Sequence, residues 1–221
     1  MEVFNQTLSS QPWPPPGVSL IAARRMWPTT QGKGVVVAVL DTGIDDQHPD
    51  LQGNVIGGRS FVPGEADYRD GNGHGTHVAG TIAASANDIG VIGVAPNVKI
   101  MPLKFLGPNG LGYTSDAIAA IKYAAANGAD IVNCSWGGDP GKSKDEALEN
   151  AIKESGLLFV FAAGNNNNDN DNKPVYPASS ECENIISVGA VDNRGNKADF
   201  SNYGSLSVDI GAPGWGILST M

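Results

Sequence analysis

The chain has 221 residues, with 14 basic and 23 acidic side chains and a formal net charge of −9 at pH 7. This charge excludes the basic surface that binds nucleic acid or an anionic membrane, so we predict neither partner. Hydrophobic residues make up 41% of the chain and charged residues 17%, which excludes an intrinsically disordered protein. The length fits a single domain with a sizeable core.

The opening sequence, MEVFNQTLSSQPWPPPG, lacks the basic and apolar regions of a signal peptide. No segment approaches the roughly 18 apolar residues of a membrane span. We therefore predict a cytoplasmic protein if Met1 is the native start, and a secreted one if a signal and a pro-segment have been removed. Two cysteines, Cys134 and Cys182, exclude a cysteine-rich zinc module and favour two free thiols over one bridge.

In chain order, residues 1–17 end in a Pro-Pro-Pro-Gly run, which predicts an extended N-terminal arm before the domain at 18–221. Within 18–221, apolar runs rich in β-branched residues alternate with helical patterns. The predicted strands are Val35–Leu40, Asn97–Phe105, Asp130–Cys134, Leu157–Ala163 and Ile185–Val191. The predicted helices are His74–Ala84, Asp116–Asn127 ended by Gly128, and Ser143–Ser155 with Ser143 as its N-cap and Gly156 after its end. This alternation predicts an α/β fold with a mainly parallel sheet.

Polar residues follow three of the predicted strands. Asp41 follows the first strand, the triplet 135–137 follows the strand at 130–134, and Asn165 follows the strand at 157–163. Because the carboxyl ends of parallel strands meet at one edge of a sheet, we predict that these positions line one crevice. Asn165 also opens an asparagine-rich run, 165–172, whose remaining residues we predict to be a solvated loop.

A glycine-rich segment, 70–80, contains two of the three histidines of the chain, His74 and His77. Glycines precede His74, and small and apolar residues follow it, which predicts a buried helix with His74 in its first turn. An imidazole with a pKa near 6.5 can take up and return a proton at neutral pH. It needs an anionic partner to fix its tautomer, and Asp41 at a strand end is the candidate.

Four blocks in this order resemble the subtilisin-like serine proteases. Val39–Asp45, with His48–Leu51, is similar to the family's catalytic-aspartate block, and Gly73–Thr81 to its histidine block. Asn133–Gly138 resembles the substrate-binding strand, and Ala162–Asn165 the block that carries the oxyanion asparagine. The resemblance covers the chain from about residue 17 onward and is nearest to the bacterial members, including the intracellular ones.

The resemblance implies a three-layer α/β fold, with helices on both faces of a mainly parallel sheet, and a serine endopeptidase acting on polypeptides. Asp41 would orient His74, His74 would act as general base and then general acid, and Asn165 would donate its amide to the oxyanion. A further set of residues would bind the substrate. An added strand would pair with Gly110, Leu111 and Gly112. The side chain before the scissile bond would be surrounded by Ser135, Trp136, Gly137, Ala162, Ala163 and Gly164.

A structural calcium ion is also implied by the resemblance. Segment 84–91 interrupts the pattern after the histidine helix, as the family's calcium loop does. The expected ligands are hard oxygen donors: the side chains of Asp50 and Asn87, and the backbone oxygens of Ser85, Ile89 and Val91. Gln11 is the candidate for the N-terminal glutamine ligand of the family.

The family's third block, a Gly-Thr-Ser-Met-like turn that carries the nucleophile, has no counterpart in the 221 residues. Ile210–Gly214 and Ile217–Thr220 resemble the stretch shortly before that block, and Ser219 precedes the place of the nucleophile. We therefore expect the catalytic serine outside the given chain, on a C-terminal segment of the same precursor that stays associated as a partner.

Three other interpretations stay open. The Asp-Thr-Gly sequence at 41–43 suggests an aspartic protease, although that class needs two such triplets and the chain has one. A zinc hydrolase could use His74 and His77 with Asp41 or His48, although the glutamate of a zincin is missing. A subtilase-like scaffold that binds peptides without cutting them accounts for the missing serine block.

Overall fold

The architecture is one parallel sheet with helices on both faces. A computed structural model describes residues 14–221, so the first thirteen residues of the arm, which include Gln11, lie outside the described part. Seven strands are hydrogen-bonded in the order β2-β3-β1-β4-β5-β6-β7, and every pairing between neighbouring strands is parallel. The strands are β1 Val36–Asp41, β2 Arg59–Ser60, β3 Lys99–Lys104, β4 Ile131–Cys134, β5 Leu158–Ala162, β6 Ile185–Val191 and β7 Ile210–Pro213. The helices are α1 Pro16–Leu20, α2 His74–Ala83, α3 Thr114–Ala126 and α4 Glu146–Glu154, with one 3-10 turn at Ala23–Arg25.

Alternate residues of the central strand β1 face two different cores. Val37 and Val39 pack in the core that contains Ala79 of α2. Ala38 and Leu40 pack in the core that contains the buried residues of α3 and α4. Since both faces of this strand are covered, it reads as a continuous apolar run in the sequence. The three-layer α/β class is therefore confirmed.

Two expectations about helix beginnings are wrong. The proline run is not extended throughout, because α1 begins at Pro16, and a proline is tolerated where a first-turn N–H needs no partner. Helix α4 begins at Glu146, and its N-cap is Asp145 rather than Ser143. The Asp145 carboxylate accepts a hydrogen bond from the Leu148 N–H at 3.0 Å. Its negative charge is also stabilised by the positive end of the helix dipole.

The asparagine-rich run 165–172 is not simply a solvated loop. Asn170 in this run and Asn202 in the segment facing it are each 1% exposed. Buried amides need hydrogen-bond partners, and these two find them in backbone carbonyls and in each other. The run is therefore packed against residues 200–207.

No helix within residues 14–221 has the length and apolarity that a transmembrane span requires. Cys134 and Cys182 are both free and buried, as the preference for unpaired thiols predicts.

Candidate active site

Asp41 and His74 meet at the carboxyl end of the central strand. Asp41 is the last residue of β1 and is fully buried, and His74 is the first residue of α2. The distance between Asp41 Oδ1 and His74 Nδ1 is 2.7 Å. The same carboxylate oxygen accepts a hydrogen bond from the Thr42 N–H at 2.7 Å, which fixes its orientation. The His74 side chain is 48% exposed, so the ring is accessible from outside the protein.

The carboxylate sets the protonation chemistry of the ring. The hydrogen bond to Asp41 raises the pKa of His74 above its usual value, although burial opposes this and the charges of Asp41 and Asp70 add to it. An acceptor at Nδ1 holds the proton of the neutral ring there and leaves Nε2 as the basic nitrogen. This arrangement suits His74 to take a proton at Nε2 and to return it.

A second carboxylate, Asp70, ties the strand end to the first turn of α2. Its Oδ1 accepts hydrogen bonds from the Gly73 N–H and the Thr42 hydroxyl, both at 2.9 Å. Its Oδ2 accepts from the Thr76 N–H at 2.9 Å and the Thr76 hydroxyl at 2.7 Å. Burial favours the neutral form of Asp70, but these hydrogen bonds outweigh burial and lower its pKa. Asp70 therefore stays charged and holds His74 in register with Asp41.

The second histidine of the segment faces elsewhere. His77 Nε2 lies 3.2 Å from the backbone carbonyl of Ile217, so its ring contacts the C-terminal part of the chain and not Asp41. His74 and His77 do not converge on one point, which removes the geometric basis for a zinc pair. The hydrogen-bond partners of the Asp41 carboxylate within residues 14–221 are the His74 ring and the Thr42 N–H, and not a second aspartate with which it would share a proton. Both of these interpretations lose their support.

No described residue supplies a nucleophile to His74. Within residues 14–221, no serine or threonine hydroxyl makes a hydrogen bond to the His74 ring. Ser219 Oγ donates to the His77 carbonyl at 2.7 Å, which commits it to another partner. Burial, followed by the charge of Asp41, raises the pKa of the Cys134 thiol well above its usual value, so this cysteine stays protonated and unreactive.

The last described residues run along α2. The Ser219 and Thr220 hydroxyls donate to the carbonyls of His77 and Thr76, each at 2.7 Å. A Cβ built on Gly73 would lie 3.7 Å from the terminal carbon of Met221. The Met221 side chain therefore lies beside the turn that precedes His74.

A groove on one side of this edge contains five of the predicted substrate residues. It encloses about 320 Å³, and its lining includes Gly110, Leu111, Gly112, Trp136 and Gly137. Its floor is aromatic: Trp136 and Phe105 pack edge to face there, with their ring centroids 4.8 Å apart. The volume and the apolar floor suit a large side chain.

Gly112 offers a free backbone edge to this groove. A Cβ at this position would overlap with the Phe105 carbonyl, so only glycine fits here. Within residues 14–221, neither the N–H nor the carbonyl of Gly112 has a hydrogen-bond partner. A free donor and acceptor on one exposed residue suit pairing with an extended peptide.

The remaining predicted substrate residues lie elsewhere along the edge. Ser135 and Ala162 line a second cavity of about 280 Å³, next to β6 and β7. Ala163 is buried, and Gly164 adopts a φ of +113°. Asn165 is exposed just beyond β5, and its side-chain amide makes no hydrogen bond to another residue within 14–221, unlike the amides of Asn168 and Asn170 in the same run. This amide is therefore free to bind an incoming oxygen.

The predicted calcium loop surrounds an unsatisfied carboxylate. Asp50 is buried, and its Oδ2 accepts a hydrogen bond from the Val91 N–H at 2.9 Å. Asp50 Oδ1 is also buried, and among residues 14–221 it has no hydrogen-bond partner. The Asp50 carbonyl accepts from the Ser85 N–H at 2.7 Å, so both ends of the loop contact this residue. A buried carboxylate oxygen without a donor fits a hard cation.

Two residues with structural importance for the site are absent from the sequence-based predictions. Asp70 lies inside the glycine-rich segment, and its position three residues before Gly73 is a weak signal of a helix cap. Asn202 lies far along the chain from Asn165, and no motif surrounds it. Only the folded structure brings it to the end of β5.

Comparisons with known proteins give consistent results. The family model for the subtilase family matches residues 32–221. The chain is 43% identical to subtilisin DY of Bacillus licheniformis over 211 residues, which are 93% of this chain and 74% of that protein. It is 44% identical to subtilisin Savinase of Lederbergia lenta, again covering 74% of that protein and 96% of this chain. It is 45% identical to alkaline elastase YaB of Bacillus sp. (strain YaB) over 97% of this chain, and there it spans only 54% of the relative.

Proposed function

Since the chain belongs to the subtilase family of serine proteases, we propose that it is the aspartate- and histidine-bearing part of an endopeptidase that hydrolyses polypeptides. The observation that carries this proposal is the 2.7 Å contact between Asp41 Oδ1 and His74 Nδ1. A buried carboxylate behind an accessible imidazole is the arrangement that activates a hydroxyl nucleophile.

In the proposed reaction, His74 Nε2 removes the proton of a serine hydroxyl as its oxygen attacks the carbonyl carbon of the peptide. Asp41 stabilises the imidazolium that forms, without taking the proton itself. His74 then gives this proton to the leaving amine, and an acyl-enzyme results. A water molecule repeats the sequence: His74 takes its proton, the oxygen attacks the ester, and the serine is released with the proton returned.

Asn165 supports the same steps by donating its free amide to the negatively charged oxygen of the tetrahedral intermediate. In a subtilisin, loss of this donor lowers kcat by about 10²–10³-fold. The peptide would extend along Gly112, with one side chain in the aromatic groove and another between the segments 135–137 and 162–164. This assigns the predicted substrate residues to binding an extended chain.

The serine would come from a segment that follows residue 221 and belongs to the same precursor. Residue 221 lies beside the turn before His74, which is where such a segment would have to begin its return to the site. The neighbouring surface is apolar: Trp215 is 60% exposed and Leu218 is 54% exposed. The open cavity beside β6 and β7 is lined by Gly214, the residue before Trp215. A segment carrying the serine would cover this surface.

The test compares residues 1–221 with the full-length protein on a chromogenic peptide substrate. We expect turnover by the full-length protein and none by residues 1–221, and we expect turnover to return when the C-terminal segment is added in trans. Full turnover by residues 1–221 alone would overturn the assignment of the nucleophile to the later segment. Tight peptide binding without turnover by the full-length protein would instead support the peptide-binding scaffold.

We also propose that calcium stabilises the loop 85–91. The side chains of Asp50 and Asn87 and the carbonyls of Ser85, Ile89 and Val91 would hold the ion. A bound calcium ion supplies positive charge to the buried Asp50 carboxylate, whose Oδ1 has no donor within residues 14–221. The ion would have a structural role, since both ends of the loop contact Asp50.

A further inference from the structure

We propose that Asn202 is a positioning residue for Asn165, and this inference rests on the proposed role of Asn165 as the oxyanion donor. Asn202 lies in the segment 200–207 that packs against the asparagine-rich run, 32 residues from Asn170 in that run and 39 residues from Ala163 before it. It is 1% exposed, so its amide cannot exchange partners with water. Its hydrogen bonds hold the backbone in place on both sides of Asn165.

On the far side of Asn165, the Asn202 side-chain oxygen holds two backbone N–H groups. Oδ1 accepts from the Asn166 N–H at 2.7 Å and from the Asn168 N–H at 3.1 Å. A single oxygen between two N–H groups fixes the turn that directly follows Asn165. Without it, both N–H groups would lose their acceptor, and the turn after Asn165 would no longer be fixed.

On the near side, Asn202 holds the backbone between β5 and Asn165. Its Nδ2 donates to the Ala163 carbonyl at 2.9 Å, and its own N–H donates to the Gly164 carbonyl at 2.9 Å. Gly164 has a φ of +113°, and a Cβ there would overlap with Asn202 Nδ2. The close approach of this amide and the sharp turn at Gly164 therefore depend on each other.

A second buried amide supports the first. Asn170 Nδ2 also donates to the Ala163 carbonyl at 2.9 Å, and Asn170 Oδ1 accepts from Asn202 Nδ2 at 3.1 Å. The side-chain amides of Asn170 and Asn202 are thus committed to the scaffold, whereas the Asn165 side chain is exposed. This contrast matters because an oxyanion donor works by being fixed in place before the charge forms.

The test is a double-mutant cycle on the full-length enzyme. We expect Asn202→Ala to lower kcat by about 10- to 100-fold, since a displacement of about 1 Å can cost that much, and to leave KM within about twofold. In the Asn165→Ala background, Asn202→Ala should have almost no further effect on kcat. An equal loss of kcat in both backgrounds would show that Asn202 has only a general structural role, and it would overturn the inference.

A matched control is Asn184→Ala. The Asn184 amide also donates to two carbonyls, those of Ile152 and Leu157 at 2.8 and 2.9 Å, but it lies at the opposite end of β5 and β6. We expect a lower melting temperature with an unchanged kcat. If Asn202→Ala does not fold, Asn202→Asp enters the same cycle, since it keeps the Oδ1 acceptor and loses the Nδ2 donor. If Asn165→Ala alone leaves kcat unchanged, the proposed oxyanion role fails, and the positioning inference fails with it.

Discussion

At the scale of single residues, the contact between Asp41 and His74 sets the pH at which the site can act. We predict that the NMR titration midpoint of His74 lies above 6.5, because the bond to Asp41 stabilises the protonated ring. Asp41→Asn should move the midpoint to lower pH. In the full-length enzyme, the acid limb of kcat/KM should follow the same midpoint, because only the neutral ring can accept a proton. His74→Gln assigns the resonance.

The sign of the effect on stability follows from the raised pKa of His74. Protonation of this ring favours the folded state, so its stabilising contribution is fully present below the pH at which an unfolded histidine titrates. The contribution is lost as the pH rises through the pKa of the folded state. A midpoint for His74 that does not respond to Asp41→Asn would contradict the assigned hydrogen bond.

Sequence alone predicts the residues of the site whose signals are local. Asp41 directly follows an apolar run, and His74 follows a run of glycines, so each is marked by its immediate neighbours. Asn202 has no such mark, because its partners in the asparagine-rich run are more than 30 residues away and bond through their backbone. From sequence alone, a run of asparagines predicts a solvated loop, because the buried groups that hydrogen-bond to it belong to distant parts of the chain.

At the scale of elements, the approach of α2 to β1 depends on Gly75. A Cβ on Gly75 would overlap with the Gly43 carbonyl and would lie 3.3 Å from Asp41 Cβ. We predict that Gly75→Ala lowers the free energy of unfolding by about 1–3 kcal/mol, as overpacking does elsewhere, because α2 has to move away from the strand end. The same shift should lower kcat in the full-length enzyme.

The control for this prediction is Gly57→Ala. Gly57 has open space around its Cβ direction, so we expect an alanine there to leave both stability and kcat nearly unchanged. Chemical denaturation measures the first quantity and steady-state kinetics the second. A Gly75→Ala enzyme with normal stability and normal kcat would show that α2 has more room than the structure indicates.

Elements with strong periodic signals were predictable to within a few residues. β6 has its predicted bounds, and β1 is shifted by one residue at each end. β7 carries no apolar run and ends in Pro213, which an edge strand tolerates, so its sequence gives no strand signal. The N-cap of α4 is Asp145 because this carboxylate, and not the Ser143 hydroxyl, accepts a hydrogen bond from a free N–H of the first turn, that of Leu148.

At the scale of the whole molecule, the proposed calcium ion links one loop to global stability. We predict that calcium raises the melting temperature of the full-length protein relative to the same protein in excess chelator, because a ligand of the folded state shifts the folding equilibrium. At a free concentration of about 100 times Kd, the gain is about 2.7 kcal/mol. Asp50→Asn should remove most of this difference.

Asp88→Asn is the matched control, because Asp88 is an exposed acidic residue of the same loop and is not a proposed ligand. We expect it to keep the calcium response. Identical melting temperatures of the unmodified protein with calcium and with chelator would contradict the proposed site. An equal loss of response in the Asp50 and Asp88 variants would indicate a diffuse effect of negative charge instead of a defined site.

The hydrogen bonds that Ser219 and Thr220 make to α2 also have a consequence for biosynthesis. They join residues that are 142 and 144 positions apart in the chain. At about 5–20 residues per second, a ribosome needs roughly 7–30 s to proceed from Thr76 to Thr220. During that interval, the helix that carries His74 is already made but lacks the segment that lies along it. Contacts of such long range also form slowly. A nascent chain therefore carries the His74 helix without these two partners of the Thr76 and His77 carbonyls until residues 219 and 220 have been made.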